Sequence, residues 1–155
     1  MGLASWTTIF SSAFLLPLAT AALCGGMIGI ERQIRGTPIG IRTSILICLG
    51  TEIFIRLGAG LTDPSADPTR VLGQVVTGVG FLGAGVILAR GESITGVTSA
   101  AVVWILAAIG SAIGLGHLVE AVAFSALTVC VLIGVRLLEM GFQRLRGGSD
   151  EPDTN

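Results

Sequence analysis

The stretch FSSAFLLPLATAALCGGMIGI, Phe10 to Ile30, carries no charged residue and is stopped by Glu31-Arg32-Gln33. A helix needs about 20 predominantly apolar residues to cross the hydrocarbon core of a bilayer, and this run has that length. The residues before it lack the Lys/Arg-rich start of a cleavable signal peptide, and no A-x-A-like site lies in a suitable place before Glu31. The run therefore reads as a retained membrane helix rather than a removed leader.

Working outward, the same length test gives four more spans. The second runs from Ile41 to Leu61 and ends at a polar, Pro-punctuated loop containing Thr62-Asp63-Pro64 and Asp67-Pro68. The third covers roughly Val71 to Leu88, and the short turn Ala89-Arg90-Gly91-Glu92 leads into a fourth at Val97 to Ile113. Gly114-Leu115-Gly116-His117 is a tight turn, and the fifth helix continues to about Leu138. The predicted fold class is all-α: a polytopic transmembrane bundle of about five helices. Its predicted organisation is a short extracytoplasmic N-terminus at 1–9, a transmembrane domain at 10–140 and a disordered cytoplasmic tail at 141–155.

Composition agrees. Of 155 residues 52% are hydrophobic and only 12% charged, and mean hydropathy is +0.87, leaving too little polar side chain to cover a water-facing surface. All nine basic residues are Arg, and the net charge of −1 gives a nucleic-acid partner no clustered positive field. Cys24, Cys48 and Cys130 lie far apart in apolar runs and His117 is the single histidine, so neither a zinc site nor a disulfide framework is expected. Buried thiols of this kind act as small hydrophobes. No Ser-His-Asp, Cys-His or paired-carboxylate arrangement can be assembled, and the expectation is a non-enzyme without metal or cofactor.

Short cytoplasmic loops carry the excess of positive charge. Arg32, Arg35 and Arg42, then Arg90, then Arg136, Arg144 and Arg146 fall on one side of a five-span chain, which predicts the N-terminus outside and the C-terminus in the cytoplasm. Small residues mark helix faces suited to close approach: Gly25 with Gly29, Gly80 with Ala84 beside Gly83 and Gly85, and Gly110 with Gly114.

Charges at membrane depth are costly, of the order of 3 kcal/mol each, and face partners or wet cavities. Glu52 and Arg56 are four residues apart on one helical face; their simplest role is mutual neutralisation, the alternative a buried polar site shared with other helices. At the first connection, Glu31, Arg32, Gln33, Arg42 and Thr43 are either a positive-inside loop touching anionic headgroups or an ion-paired constellation at the mouth of the bundle. Gly36 and Gly40 do not make a nucleotide site, because GK[ST] is absent and no strand precedes them. Asp67 and Arg70 open the third helix, and Gln74 and Thr77 extend a polar stripe inward from them. Glu120 and His117 sit near the same surface as solvated groups.

The segments Gly25-Gly26-Met27-Ile28-Gly29-Ile30-Glu31-Arg32-Gln33 and Gly40-Ile41-Arg42-Thr43 resemble the first signature of the MgtC/SapB family of bacterial inner-membrane proteins. Asp67-Pro68-Thr69-Arg70, Gln74 through Ile87, and Gly96-Val97-Thr98-Ser99-Ala100-Ala101 onward to Gly116 resemble the later ones, in family order. The resemblance implies a five-helix inner-membrane domain, associated in the family with growth in low magnesium and survival inside host cells. Longer members add a cytoplasmic ACT-like domain, for which this sequence shows no counterpart after the fifth helix. The resemblance also implies a regulator that acts on the F-type ATP synthase and membrane potential.

Two functions follow as expectations. One is a non-enzymatic regulator binding other helices, or its own copies, through Gly/Ala faces within the lipid; the other is an ion or small-solute transporter lined by Glu31, Arg42, Glu52, Arg56 and Gln74. Both require membrane integration. After alkaline carbonate extraction of membranes the chain is expected in the pellet, and its release with peripheral proteins would contradict the topology.

Overall fold

The computed structural model describes residues 11–61, 69–90 and 93–146. It contains five helices: α1 (Ser12–Ile34), α2 (Ile41–Leu61), α3 (Thr69–Val86), α4 (Val97–Gly114) and α5 (Leu118–Arg146). A two-stranded antiparallel hairpin, β1 (Leu88–Arg90) with β2 (Ser93–Thr95), joins α3 to α4. Helices α1, α3 and α4 and the Leu118–Phe142 part of α5 are long and apolar enough to cross a membrane. The remaining helix, α2, carries Arg42, Glu52 and Arg56 and lies among the others. Large apolar side chains such as Phe81, Val119 and Ile34 point outward around the bundle, as they do in a lipid-facing protein and not in one surrounded by water.

The arrangement is organised around α2, whose most extensive contacts are with α1 and then α4. On the α1 side, a Cβ at Gly25 would lie 2.7 Å from the Ser44 carbonyl oxygen, and one at Gly29 would lie 2.6 Å from Ile41 Cα. On the α4 side, a Cβ at Gly110 would lie 2.5 Å from the Cys48 carbonyl oxygen, and one at Gly114 would lie 2.7 Å from Ile55 Cβ. Both expected glycine pairs are thus used, each placing backbone against α2 where lipid supplies no hydrophobic drive and van der Waals contact must suffice. Cys24, Ile28, Cys48, Leu106, Ile109 and Ala121 fill the main core between α1, α2, α4 and α5. Cys24 and Cys48 are fully buried, whereas Cys130 faces outward.

The ends of the helices sort into two sets. The α1–α2 loop and the hairpin together border one cavity, and the end of α2, the start of α3 and the α4–α5 turn border another. An up-and-down bundle gives this alternation. At the hairpin end, Gly36 (φ +64°) closes α1 and its N–H reaches the Gln33 carbonyl at 3.0 Å. Gly96 (φ +90°) precedes α4, and a Cβ there would sit 2.2 Å from the Val86 carbonyl oxygen, so only glycine fits between the hairpin and the end of α3.

Several sequence expectations need correction. Helix α1 continues past Ile30 to Ile34, because Glu31 and Arg32 find partners inside the protein and need not leave the helix for water. Residues 141–146, expected in a disordered tail, complete the last turns of α5; residues 1–9 and 147–155 fall outside the described residues. The Gly80/Ala84 pair is not an internal packing surface: Gly80, Ala84 and Gly85 are exposed, a Cβ at Gly80 or Gly85 would meet nothing within 4 Å, and only Gly83 is buried, facing Ala100 of α4.

Replacing Gly110 by Ala forces backbone apart and is expected to cost on the order of 1–3 kcal/mol. Gly80→Ala is expected to be silent. Thermal unfolding of the two variants in detergent tests the contrast, and equal behaviour would contradict the α2–α4 contact.

Candidate functional site

The charged residues at membrane depth form two separate groups, one towards each end of the bundle. At the middle of α2, Glu52 is fully buried and its Oε1 is ion-paired with Arg56 Nη2, one turn along the same helix towards its C-terminal end. The Arg56 guanidinium carbon lies 5.7 Å from the Phe14 ring centroid of α1, a cation–π contact. Glu52 Oε2 has no hydrogen-bond partner. The expectation of mutual neutralisation matches this geometry. The pair is intrahelical, and among the described residues no other helix contributes a charged side chain to it.

At the other end the arrangement differs from the expected constellation. Glu31 Oε1 is ion-paired with Arg35 Nε, a partner that the sequence reading left out, and Arg35 Nη2 also donates to the Leu132 carbonyl of α5 at 3.4 Å. Arg32, only 5% exposed, donates through Nη2 to Ser99 Oγ in the first turn of α4 at 2.7 Å. Arg42 and Thr43, expected beside Glu31 and Arg32, are exposed in the first turn of α2 instead, because that turn sets Ile41 and Ser44, not Arg42 and Thr43, against Gly29 of α1. Gln33 is exposed, and its Oε1 accepts the Ile41 N–H at 3.2 Å, capping α2. Ser99 stands in the Gly96–Ala101 stretch that carries the resemblance but not among the expected site residues: it is one small polar residue in an apolar helix, and only the fold sets it opposite Arg32.

Arg70, Gln74 and Thr77 are exposed along α3 and meet neither charged group; Asp67 lies outside the described residues. Gln74 borders a cleft of about 740 Å³ between α2 and α3, otherwise lined by apolar side chains such as Leu46, Phe54 and Leu82, with Thr43 and Thr51 also on its wall. His117 Nδ1 and Glu120 Oε1 are 3.4 Å apart and both well exposed, as solvated groups should be.

Breaking a buried ion pair leaves an uncompensated charge and typically costs about 3–5 kcal/mol, whereas removing both partners costs much less. Arg56→Leu is therefore expected to destabilise the protein more than Glu52→Leu/Arg56→Leu. Unfolding midpoints measured side by side test this, and additive losses would show that the two side chains are not a pair.

Comparison with known proteins adds to this geometry. The model of the MgtC family matches residues 18–140. The chain is 42% identical over 129 residues to YhiD of Escherichia coli (strain K12), whose name makes it a candidate magnesium transporter; the match covers 79% of this chain and 60% of that protein. It is 38% identical over 137 residues to the protein MgtC of Brucella abortus (strain 2308), covering 87% of this chain and 57% of that one. Against the protein MgtC of Salmonella typhimurium (strain LT2) the figures are 41% over 123 residues, 79% and 52%. The chain thus spans between 52% and 60% of the length of these relatives. No solved structure matches it. With the family match running from Leu18 in α1 to Met140 in α5, and with helices fit to cross a bilayer several times, this chain is a multi-pass membrane protein that belongs to the MgtC family.

Proposed function

We propose that the chain is a non-enzymatic regulator of magnesium homeostasis or membrane energetics in the bacterial inner membrane, acting by helix-to-helix contact with another membrane protein. One observation carries the reading: α3 keeps most of its surface out of the bundle. Of its residues only Val79 and Gly83 are buried, and Gly73, Thr77, Gly80 and Ala84, spaced on one face, are all exposed. A Cβ at Gly73 or Gly80 would meet nothing within 4 Å. The same chain uses glycine pairs on α1 and α4 to bring backbone against α2. A free face of the same chemistry suits a helix from elsewhere. The family resemblance makes the F-type ATP synthase the first partner to test, and self-association the second.

The competing reading is a magnesium transporter, which the name of the Escherichia coli relative favours. Magnesium demands hard oxygen ligands in near-octahedral array. The buried acids Glu31 and Glu52 each already face an Arg of their own segment, which favours the regulator.

Gly80→Leu adds a side chain where there is space, so folding and membrane level are expected to match the wild type while recovery of the partner from native membranes falls at least several-fold. Retention of the partner would contradict the α3 face. Magnesium uptake by proteoliposomes of the purified chain, above that of empty vesicles, would overturn the regulator in favour of the transporter.

A further inference from the structure

At the hairpin end, two guanidinium groups share one carboxylate. Glu31 is ion-paired with Arg35, which leaves Arg32 as a positive charge that is 5% exposed and has no carboxylate of its own among the described residues. Of the five N–H donors a guanidinium offers, one goes to Ser99 Oγ, and Nε has no hydrogen-bond partner. Buried charges persist where something neutralises them.

Arg32 lies on the wall of a cavity of about 540 Å³ between the α1–α2 loop and the hairpin, with Thr37, Thr95, Thr98 and Ser99 also on its surface; it is markedly more polar than the α2/α3 cleft. The same wall includes the N-terminus of α4. The first intrahelical donor of α4 is the Ala100 N–H, bonded to the Gly96 carbonyl at 2.9 Å, so the N–H groups of Val97, Thr98 and Ser99 have no acceptor within the helix. No side chain caps them, since the capping position is Gly96. A helix N-terminus carries about half a positive charge and favours anions.

We infer that this cavity binds a phosphate group, held between the Arg32 guanidinium and the first-turn N–H groups of α4. A tetrahedral phosphate has enough oxygens to accept from both at once, and charge-assisted bonds of this kind are the stronger class. The site opens at an end of the bundle, where the headgroup of an anionic phospholipid and a free phosphate are both at hand. The inference goes beyond the proposed function and does not depend on it, because the α3 face takes no part.

The test uses the full chain, delipidated in a maltoside detergent, with unfolding followed as inorganic phosphate or a short-chain phosphatidylglycerol is added against chloride at equal ionic strength. A rise in midpoint of roughly 2–4 °C at saturating ligand is expected. A rise with phosphate identifies the free anion; a rise with phosphatidylglycerol alone identifies the headgroup. Arg32→Gln is expected to weaken the apparent affinity at least about tenfold, as loss of a charged hydrogen bond does. Should that variant fail to fold, Thr98→Asp is the second reading. Thr98 is exposed on the cavity wall, and a carboxylate there supplies the anion from within. This variant is expected to unfold at a higher midpoint without ligand and to show no further rise with it. No rise in the wild type with either probe, or an undiminished rise in Thr98→Asp, would overturn the site.

Discussion

The rest of the structure depends on the contact of α2 with two glycine faces. Gly25 and Gly29 of α1 and Gly110 and Gly114 of α4 bring these helices to the α2 backbone at distances that no Cβ would allow. In a bilayer, apolar side chains gain nothing by leaving lipid for one another, so the energy of assembly lies in such close approach and in polar groups that it encloses. The helix that carries the Glu52–Arg56 pair is for that reason the central one. Glu52 is out of reach of lipid because α1 and α4 close over it, and Arg56 is held against both Glu52 and Phe14.

With α1, α2 and α4 so joined, the other two helices hold lighter positions. Helix α5 lies along α1 and α4, burying deeply only Ala121 and Ser125 among its described side chains, and most of α3 faces away from the bundle. The division suits a protein whose rigid part is internal and whose free faces meet lipid or another protein. It also explains how Arg32 and Ser99 come together: α1 and α4 flank α2 on two sides, and their ends at the hairpin side converge on one cavity.

The helices were legible in the sequence because their length is set by the bilayer, a constraint that acts on each run independently of the others. The Gly25/Gly29 and Gly110/Gly114 faces were legible for a similar reason, since i and i+4 on one helix share a face whatever lies opposite. What lies opposite was not legible. Gly80 and Ala84 have the same spacing and point outward, a difference decided by where α3 sits. The Glu52–Arg56 pair is local and was readable; the Arg32–Ser99 bond joins residues 67 apart and was not. Ending α1 at Glu31 was an error of the same origin, because a charged residue ends a membrane run only when nothing inside the protein receives it.

Magic-angle-spinning NMR of the carbon-13-labelled protein in lipid bilayers measures the central contact directly. The account expects Cα–Cα cross-peaks at short mixing times between Gly29 and Ile41, between Gly25 and Ile45, and from Gly110 to Cys48. Spectra that show these glycines without any α2 partner, while the helices themselves are intact, would contradict it.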